Sequence, residues 1–499
     1  MEKQRTLVPF VSLAGRAQTD VPMYRQIYDE FRRGILSGKI SPRSRIPSSR
    51  ALADQLGVSR ITVVNAYDQL FAEGYLEARV GSGTFVAGEL PEELLHTASL
   101  RNLKKPRVSR PLSLSAKGTQ AARDSARIVS EQSANKFIPF QNGLTALDSF
   151  PFDVWARIAA RCIRYISPGD MFDGDLTGYR LLREAIATHL GSARGVRCDP
   201  EQVIVTAGTQ QALSLISAVL LEADDEVWME DPGYTSARSL FIHSRTNLVS
   251  VPVDNDGLDV NAASAVGKNP KLIYVTPSHQ YPLGVTMSVA RRLSLIETAR
   301  STGAWIIEDD YDSEYRYAGR PIASLQGLDD EGRVLYVGTF SKTIFPSLKL
   351  GCLVVPPDLV DVFTATRVLT GSQPPLIDQA ILAEFISEGH FARHVRRMRT
   401  LYAERQRSLV EQVDRRLKGL VEMKADDAGM HLVGWLPGDL DDREVVRKAA
   451  EANIRLNSIS DHCIAPYPRN GLVFGYAAFD EKKIKRGVVK IAAVLEKMA

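Results

Sequence analysis

The sequence predicts an α/β protein: a mainly parallel sheet with flanking helices, preceded by a small helical module. Three observations predict this. Two short apolar runs, Trp305 to Tyr311 and Val334 to Lys342, each end in polar residues and read as buried parallel strands. Val203-Ile204-Val205-Thr206 is a third such run, and it passes through Gly208 into a helical segment. Ahead of all three, between Tyr24 and Ala87, apolar residues recur at helical spacing in three short stretches, followed by a glycine-centred hairpin.

Composition bounds the class. At 499 residues the chain is long enough for roughly two to four domains. With 44% hydrophobic and 24% charged residues it has the make-up of a globular protein with a large core. A net charge of +3 is too small to argue for nucleic-acid binding by itself, so any basic surface must come from local clustering. Cys162, Cys198, Cys352 and Cys463 are far apart and form no CxxC pair, which fits a reducing compartment and no structural zinc. The N-terminus has no apolar signal core and no apolar run approaches membrane-spanning length, so the expected location is cytoplasmic.

In the N-terminal module, residues 20–88, Tyr24, Ile27, Tyr28, Phe31 and Ile35 form one helical stripe, closed by Ser37-Gly38. Pro47-Ser48-Ser49-Arg50 opens a second helix with serine as N-cap, ending at Gly57. Val58-Ser59 caps a third, whose buried face runs through Val63, Ala66, Leu70 and Phe71 to Gly74. Two short helices joined by a tight glycine turn are a helix-turn-helix. Tyr75–Val80 and Thr84–Ala87 then form two strands around Gly81-Ser82-Gly83, a wing.

From 89 to 135 the periodicity fades. Arg101, Lys104, Lys105, Arg107, Arg110, Lys117, Arg123 and Arg127 are interspersed with prolines and serines, so the stretch reads as a basic flexible linker. Its charge serves either nonspecific contact with DNA or solubility.

Residues 136–499 form the α/β domain, with a smaller α+β part from about residue 385. In open α/β sheets ligands bind at the C-terminal strand ends. There the first run delivers carboxylates (Glu308, Asp309, Asp310) and the phenol of Tyr311, and the second delivers Lys342. An acid that keeps a pyridine nitrogen protonated and a lysine that forms a Schiff base are what pyridoxal phosphate chemistry requires. Gly208-Thr209-Gln210 opens a helix, whose free amides suit a phosphate.

Leu56-Gly-Val-Ser-Arg-Ile-Thr-Val63 with Gly81-Ser-Gly-Thr-Phe-Val86, and Asp309 to Tyr317 with Gly338 to Gly351, resemble the MocR branch of GntR-type bacterial regulators. Members join a winged helix-turn-helix to a fold-type-I aminotransferase domain. The resemblance implies that Ser59, Arg60 and Thr62 enter the major groove, with Arg50 supporting and Ser82 and Gly83 at the wing tip. It implies Lys342 as the Schiff-base (internal aldimine) lysine, Asp309 on the pyridine nitrogen and Tyr311 on the phenolic oxygen. Tyr234 would stack on the ring, with Gly208, Thr209, Gln210 and Lys349 around the phosphate. The partners implied are operator DNA, an amino compound or pyridoxal phosphate itself as effector, and a second subunit in a head-to-tail homodimer.

Four positions depart from the catalytic pattern. Asp173 stands where a tyrosine is usual, Tyr281 in place of an asparagine, Lys349 in place of a phosphate-binding arginine, and Val473 in place of the arginine that clamps a substrate carboxylate. Ser278-His279-Gln280 before Tyr281 is typical of the regulators, and His279 and Gln280 are candidates to line the pocket. In the N-terminal module Pro42-Arg43 replaces the usual Pro-Gly. These departures favour effector sensing or partial transamination over efficient turnover. The alternative is an active aminotransferase with an accessory DNA-binding domain.

Overall fold

The computed structural model describes residues 21–79, 82–90, 114–115, 118–119, 122, 137–172, 174–267, 269–319, 322–371, 373–438 and 440–498. Val80, Gly81, Asp173 and the linker's basic residues from Arg101 to Arg127 lie outside them. The chain divides into two compact units between Ser113 and Leu114.

The first unit is built on three helices. Helix α1 (Met23–Leu36) buries Ile27, Tyr28, Phe31 and Ile35. Each such side chain contributes about 1.5–3 kcal/mol through burial. Tyr24 was expected on the same stripe but is 38% exposed, because with Val21 and Met23 it belongs to a first turn that projects beyond the core. Gln26 is buried instead, and its amide donates to the Val21 carbonyl at 2.8 Å. Helix α2 (Ser49–Leu56) starts at Ser48, whose hydroxyl accepts from Ala51 N, and stops at Gly57, where φ is 66°. The left-handed turn there needs glycine. Helix α3 (Arg60–Ala72) starts at Ser59, whose hydroxyl accepts from Ile61 N. Strands β1 (Leu76–Arg79) and β2 (Gly83–Val86) pair antiparallel, and Arg43 N and Ile46 N donate to Val86 O and Thr84 O at 3.0 and 2.9 Å. Arg43 adopts φ 63°, the left-handed conformation that glycine takes without cost, so the departure at this position is one of backbone as well as charge.

The second unit centres on an eight-stranded sheet. In chain order its strands are β3 (Val203–Thr206), β4 (Glu226–Asp231), β5 (Asn247–Asp254), β6 (Gly257–Leu258), β7 (Leu272–Val275), β8 (Trp305–Asp310), β9 (Val334–Thr339) and β10 (Gly351–Val354). They lie side by side as β3-β10-β9-β8-β7-β4-β5-β6. Strands β9, β8, β7, β4 and β5 run parallel, while β10 and β6 are antiparallel to their neighbours. The two apolar runs expected to pair, β8 and β9, do so in parallel, with Asp309 opposite Val337. Helices including Arg180–Arg194, Thr209–Leu220 and Val289–Thr302 flank the sheet.

The 27-residue helix His390–Arg416 leads into a smaller lobe. Its antiparallel sheet has the order β11 (Glu422–Met423), β12 (His431–Trp435), β14 (Gly471–Gly475) and β13 (Asn457–Ser458). One face of that sheet, with Leu432, Leu472 and Phe474, packs on the helix Glu481–Leu495 and on the long helix. No described helix is long and apolar enough to cross a membrane.

Candidate functional site

In the first unit, the residues singled out for DNA lie at the start of α3, on α2 and at the hairpin tip. Arg60, Ser59, Arg50, Ser82 and Gly83 are exposed and Thr62 is half-buried. The Ser59 hydroxyl is engaged in capping α3, so it holds the helix start as well as presenting itself there. Ile61, between Arg60 and Thr62, is 63% exposed, an apolar side chain that sequence reasoning passed over. Gly83 has φ 112°, so the tip requires glycine for its conformation, and a Cβ there would press on the Arg45 side chain at 3.0 Å.

In the second unit, a cavity of about 380 Å³ opens at the C-terminal ends of the parallel strands. Lys342, Gly208, Thr209, Gln210, Tyr234, Asp309, Tyr311 and Lys349 all line it. The sheet explains the convergence: Asp309 is the penultimate residue of β8, the others follow β3, β4, β8 or β9 at the same edge, and Lys349 stands just before β10.

The three acidic residues of β8 separate by the alternation of a strand. Glu308 and Asp310 point away from the cavity into structural bonds. Glu308 accepts from Leu325 N and Gln326 N, both at 2.9 Å, and Asp310 pairs with Arg194 at 2.8 Å and accepts from the Tyr336 hydroxyl. Asp309 faces the cavity. Its Oδ2 accepts from the Tyr274 hydroxyl at 2.7 Å, and its Oδ1 is buried without a partner among the described residues. Burial pushes the Asp309 carboxyl up to about 7, against the lowering effect of the Tyr274 bond.

Lys342 follows β9, and its Nζ donates to the Gly143 carbonyl at 3.1 Å. Gly143 has φ 75°, which favours glycine, and a Cβ on it would lie 2.4 Å from that nitrogen, so a larger residue would displace the amine. Burial lowers the Lys342 pKa, with Lys349 adding to the effect and Asp312 and Asp309 opposing it. A less basic amine is a better nucleophile at neutral pH. Gly208, at φ 91°, precedes the twelve-residue helix Thr209–Leu220, which has no side-chain cap. Its first amides therefore face the cavity as donors. Lys349 adopts φ 52° after the turn Pro346–Leu348, which brings its ammonium to the same cavity.

The Tyr311 hydroxyl donates to the His279 carbonyl at 2.9 Å and lies 3.0 Å from His279 Nδ1. His279 and Gln280, candidates for the lining, are instead buried behind it. Gln280 donates to the Pro232 carbonyl at 2.8 Å and to Glu230 at 3.2 Å. His279 sits between Asp312, at 3.0 Å, and Asp426 of the smaller lobe, at 3.6 Å. Burial alone would lower its pKa, but the two carboxylates raise it to about 10. His279, Asp312 and His431 bring three potential ligand atoms within 4.8 Å of one another. Those groups are engaged in hydrogen bonds, His431 Nε2 donating to the Pro282 carbonyl at 3.0 Å.

Several lining residues were not found from the sequence. Tyr274 is the third residue of an apolar strand, and only the register of β7 against β8 brings it to Asp309. Tyr281, noted as a departure, lines the cavity with its ring edge-on to Tyr234, Tyr311, His431 and His462 at 5.0–6.0 Å. The Asn142 amide donates to its hydroxyl at 3.0 Å. Met430, His431, Arg455, Asn457 and His462 come from the smaller lobe. Val473 is fully buried in β14, opposite Val433 and Asn457.

Residues 23–86 match the family "Bacterial regulatory proteins, gntR family", and residues 141–491 match "Aminotransferase class I and II". The chain is 43% identical over 471 residues, 94% of this chain and 93% of the other, to the probable rhizopine catabolism regulatory protein MocR of Rhizobium meliloti. It is 32% identical to the pyridoxine biosynthesis transcriptional regulator PdxR of Corynebacterium glutamicum, covering 97% of each. Among solved structures, a Pyrococcus horikoshii kynurenine aminotransferase covers 81% of this chain and 99% of its own, with TM-score 0.68 and 25% identity. An α-aminoadipate aminotransferase of Thermus thermophilus covers 76% and 97%, with TM-score 0.69 and 28% identity. The chain thus belongs to the MocR branch of the GntR-type helix-turn-helix transcriptional regulators, a DNA-binding domain joined to an aminotransferase class I and II domain.

Proposed function

We propose that this regulator holds pyridoxal 5′-phosphate in the cavity of its aminotransferase-like domain and that an amino compound, or the cofactor itself, is its signal. The observation that carries the reading is the buried Asp309 Oδ1, which has no partner among the described residues, on a carboxylate that lines the same cavity as Lys342. A protonated ring nitrogen supplies the donor that this oxygen lacks. The open amides at Gly208, Thr209 and Gln210 and the ammonium of Lys349 suit the phosphate, Tyr234 suits the face of the ring and the Tyr311 hydroxyl its phenolic oxygen. When bound, the cofactor supplies an aldehyde that condenses with amines and a cationic ring that stabilises negative charge at the amine's α-carbon. Lys342 is the attachment point and Asp309 holds the ring proton. Tyr274 orients Asp309, and His279 orients Tyr311.

The arrangement favours sensing over turnover, because Val473 offers no charge to a substrate carboxylate. An effector alters DNA binding only through different affinity for two conformations of the protein. The reading includes a cytoplasmic, head-to-tail homodimer that presents two winged helices to paired operator half-sites, with Arg50, Ser59, Arg60, Thr62, Ser82 and Gly83 at the DNA. Exposed apolar side chains at Ile163, Tyr165, Met171 and Phe172 support a pairing surface on the second unit. Residues 20–88, 89–135 and 136–499 are the proposed DNA-binding domain, linker and cofactor domain.

The test is the visible absorption of the protein on titration with pyridoxal phosphate, followed by borohydride reduction and peptide mapping. A band that reduction fixes on Lys342 supports the reading. No band, or a band retained in Lys342→Ala, overturns it.

A further inference from the structure

Ile61 is the most exposed large apolar side chain among the described residues of the first unit, at 63%. The fold holds it there. The Ser59 cap sets the first turn of α3, with Ile61 N donating to the Ser59 hydroxyl at 3.3 Å and Thr62 N to the Ser59 carbonyl at 3.0 Å. The rotation of the helix is set from its other side, where Val63, Ala66, Tyr67 and Leu70 are at most 5% exposed and belong to the unit's core. The Tyr67 ring meets Phe31 of α1 edge-on at 5.5 Å, and its hydroxyl donates to the Pro47 carbonyl ahead of α2 at 3.0 Å. Helical spacing then puts Ile61, Asn65 and Asp68 on the opposite side of α3, where all three are exposed.

Asn65 and Asp68 are the polar residues that such an outward row ordinarily carries. Ile61 is not, and folding draws no burial from an isoleucine held in water. Nor does helix preference account for it, since a β-branched side chain is a weaker helix former than alanine or a straight chain. Its neighbours set the position apart. It stands between Arg60 and Thr62 in the first turn of the second helix of a helix-turn-helix, the turn whose side chains meet base edges in the major groove. Exposed guanidiniums stand at Arg60, at Arg50 on α2 and at Arg45, whose Nε lies beside the wing-tip Gly83. That setting suits a polyanion. Arginine can bond guanine and threonine can bond a phosphate or a base, but isoleucine can do neither. The apolar group that a standard base pair shows in the major groove is the C5 methyl of thymine. Against any other base edge the side chain would cover donors or acceptors without bonding them.

We propose that Ile61 reads a thymine in the operator by packing on its C5 methyl group. The contact selects for thymine through the methyl and against other bases through the polar groups it would strand. The inference rests on the placement of the start of α3 at the DNA, and it adds the base that this turn selects. It does not depend on the cofactor.

The experiment uses the full-length protein and double-stranded sites that it recovers from a random-sequence DNA pool. Every thymine of a recovered site is replaced in turn by deoxyuridine, which removes the methyl and keeps the base pair. Mobility shifts should show a thymine whose replacement weakens wild-type binding about threefold to fivefold, the worth of one buried methyl group. In Ile61→Ala that penalty should vanish, with both DNAs bound about as the wild type binds the uracil site, and Ile61→Val should keep most of it. Because Ile61 is exposed, both variants should melt as the wild type does. A wild type indifferent to uracil at every thymine overturns the inference, and so does a penalty that survives Ile61→Ala. Arg60→Ala separates this inference from the placement on which it rests. If that variant binds more weakly while no thymine carries a penalty, only the thymine contact falls. If Arg60→Ala and Ile61→Ala both bind every site as the wild type does, or the pool yields no preferred sequence, the placement of α3 falls with it.

Discussion

Tyr274 and Asp309 stand on adjacent parallel strands, and the phenol donates to the carboxylate across 2.7 Å in a fully buried setting. The bond uses one oxygen of Asp309 and leaves the other for a ligand. It fixes the carboxylate plane and favours its ionised form. We expect Tyr274→Phe to weaken pyridoxal phosphate binding about tenfold to hundredfold, the worth of a hydrogen bond to a charged group. Attachment at Lys342 should persist. An absorbance titration measures the effect, and an unchanged dissociation constant would show that Tyr274 is a packing residue only.

The same carboxylate leaves a mark on stability. Burial raises Asp309 to about 7 from the usual 3.8, so the folded protein without ligand holds a proton that the unfolded chain has released. The sign follows: the contribution is fully present below about pH 3.8 and is lost as pH rises through about 7. The melting-temperature difference between wild type and Asp309→Asn should therefore drift against the wild type from about pH 4 to 7 and level off above. A difference that stays flat over that range would mean Asp309 is ionised throughout.

His279 ties the two lobes of the second unit. It contacts Asp312 after β8 and Asp426 before β12, and its charged form is favoured by both. Removing it leaves Asp312 buried without its cation, a loss of roughly 3–5 kcal/mol. With the folded pKa near 10, the stabilisation is fully present below about pH 6.5 and disappears as pH rises through about 10. Urea unfolding of wild type and His279→Ala from pH 6 to 10 should show the two curves converging. Parallel curves would assign the loss to packing.

The strand ends were legible in the sequence because a short apolar run followed by polar residues has few other uses in an α/β sheet. Asp309 could be placed but not separated from Glu308 and Asp310 by periodicity alone. The separation came from Arg194, Arg292 and two backbone amides, which occupy the neighbouring carboxylates from distant parts of the chain. His279 and Gln280 were expected at the cavity wall, yet the loop after β7 turns so that Tyr281 reaches it and they do not. That turn is held by Thr276 and Glu230, which nothing local in the sequence connects. Arg455 and Asn457 were invisible for a similar reason: their place depends on the pairing of β13 with β14 and on the fit of two lobes.

Ser59 and Arg60 open α3 with different tasks, and variants should separate them. The Ser59 hydroxyl caps the helix, so Ser59→Ala should cost about 1 kcal/mol of stability in the N-terminal module. Arg60 is exposed and makes no capping bond among the described residues, so Arg60→Ala should leave melting within about 0.5 kcal/mol. On operator DNA, Arg60→Ala should weaken binding by about 1–3 kcal/mol if the guanidinium reads a base. Against nonspecific DNA the loss should be smaller. A phosphate contact would instead weaken both DNAs equally and reduce the salt dependence of binding by about one ion. Mobility shifts of both variants on both DNAs over a salt series distinguish these outcomes, and equal affinity of Arg60→Ala and wild type on every DNA would remove Arg60 from the interface.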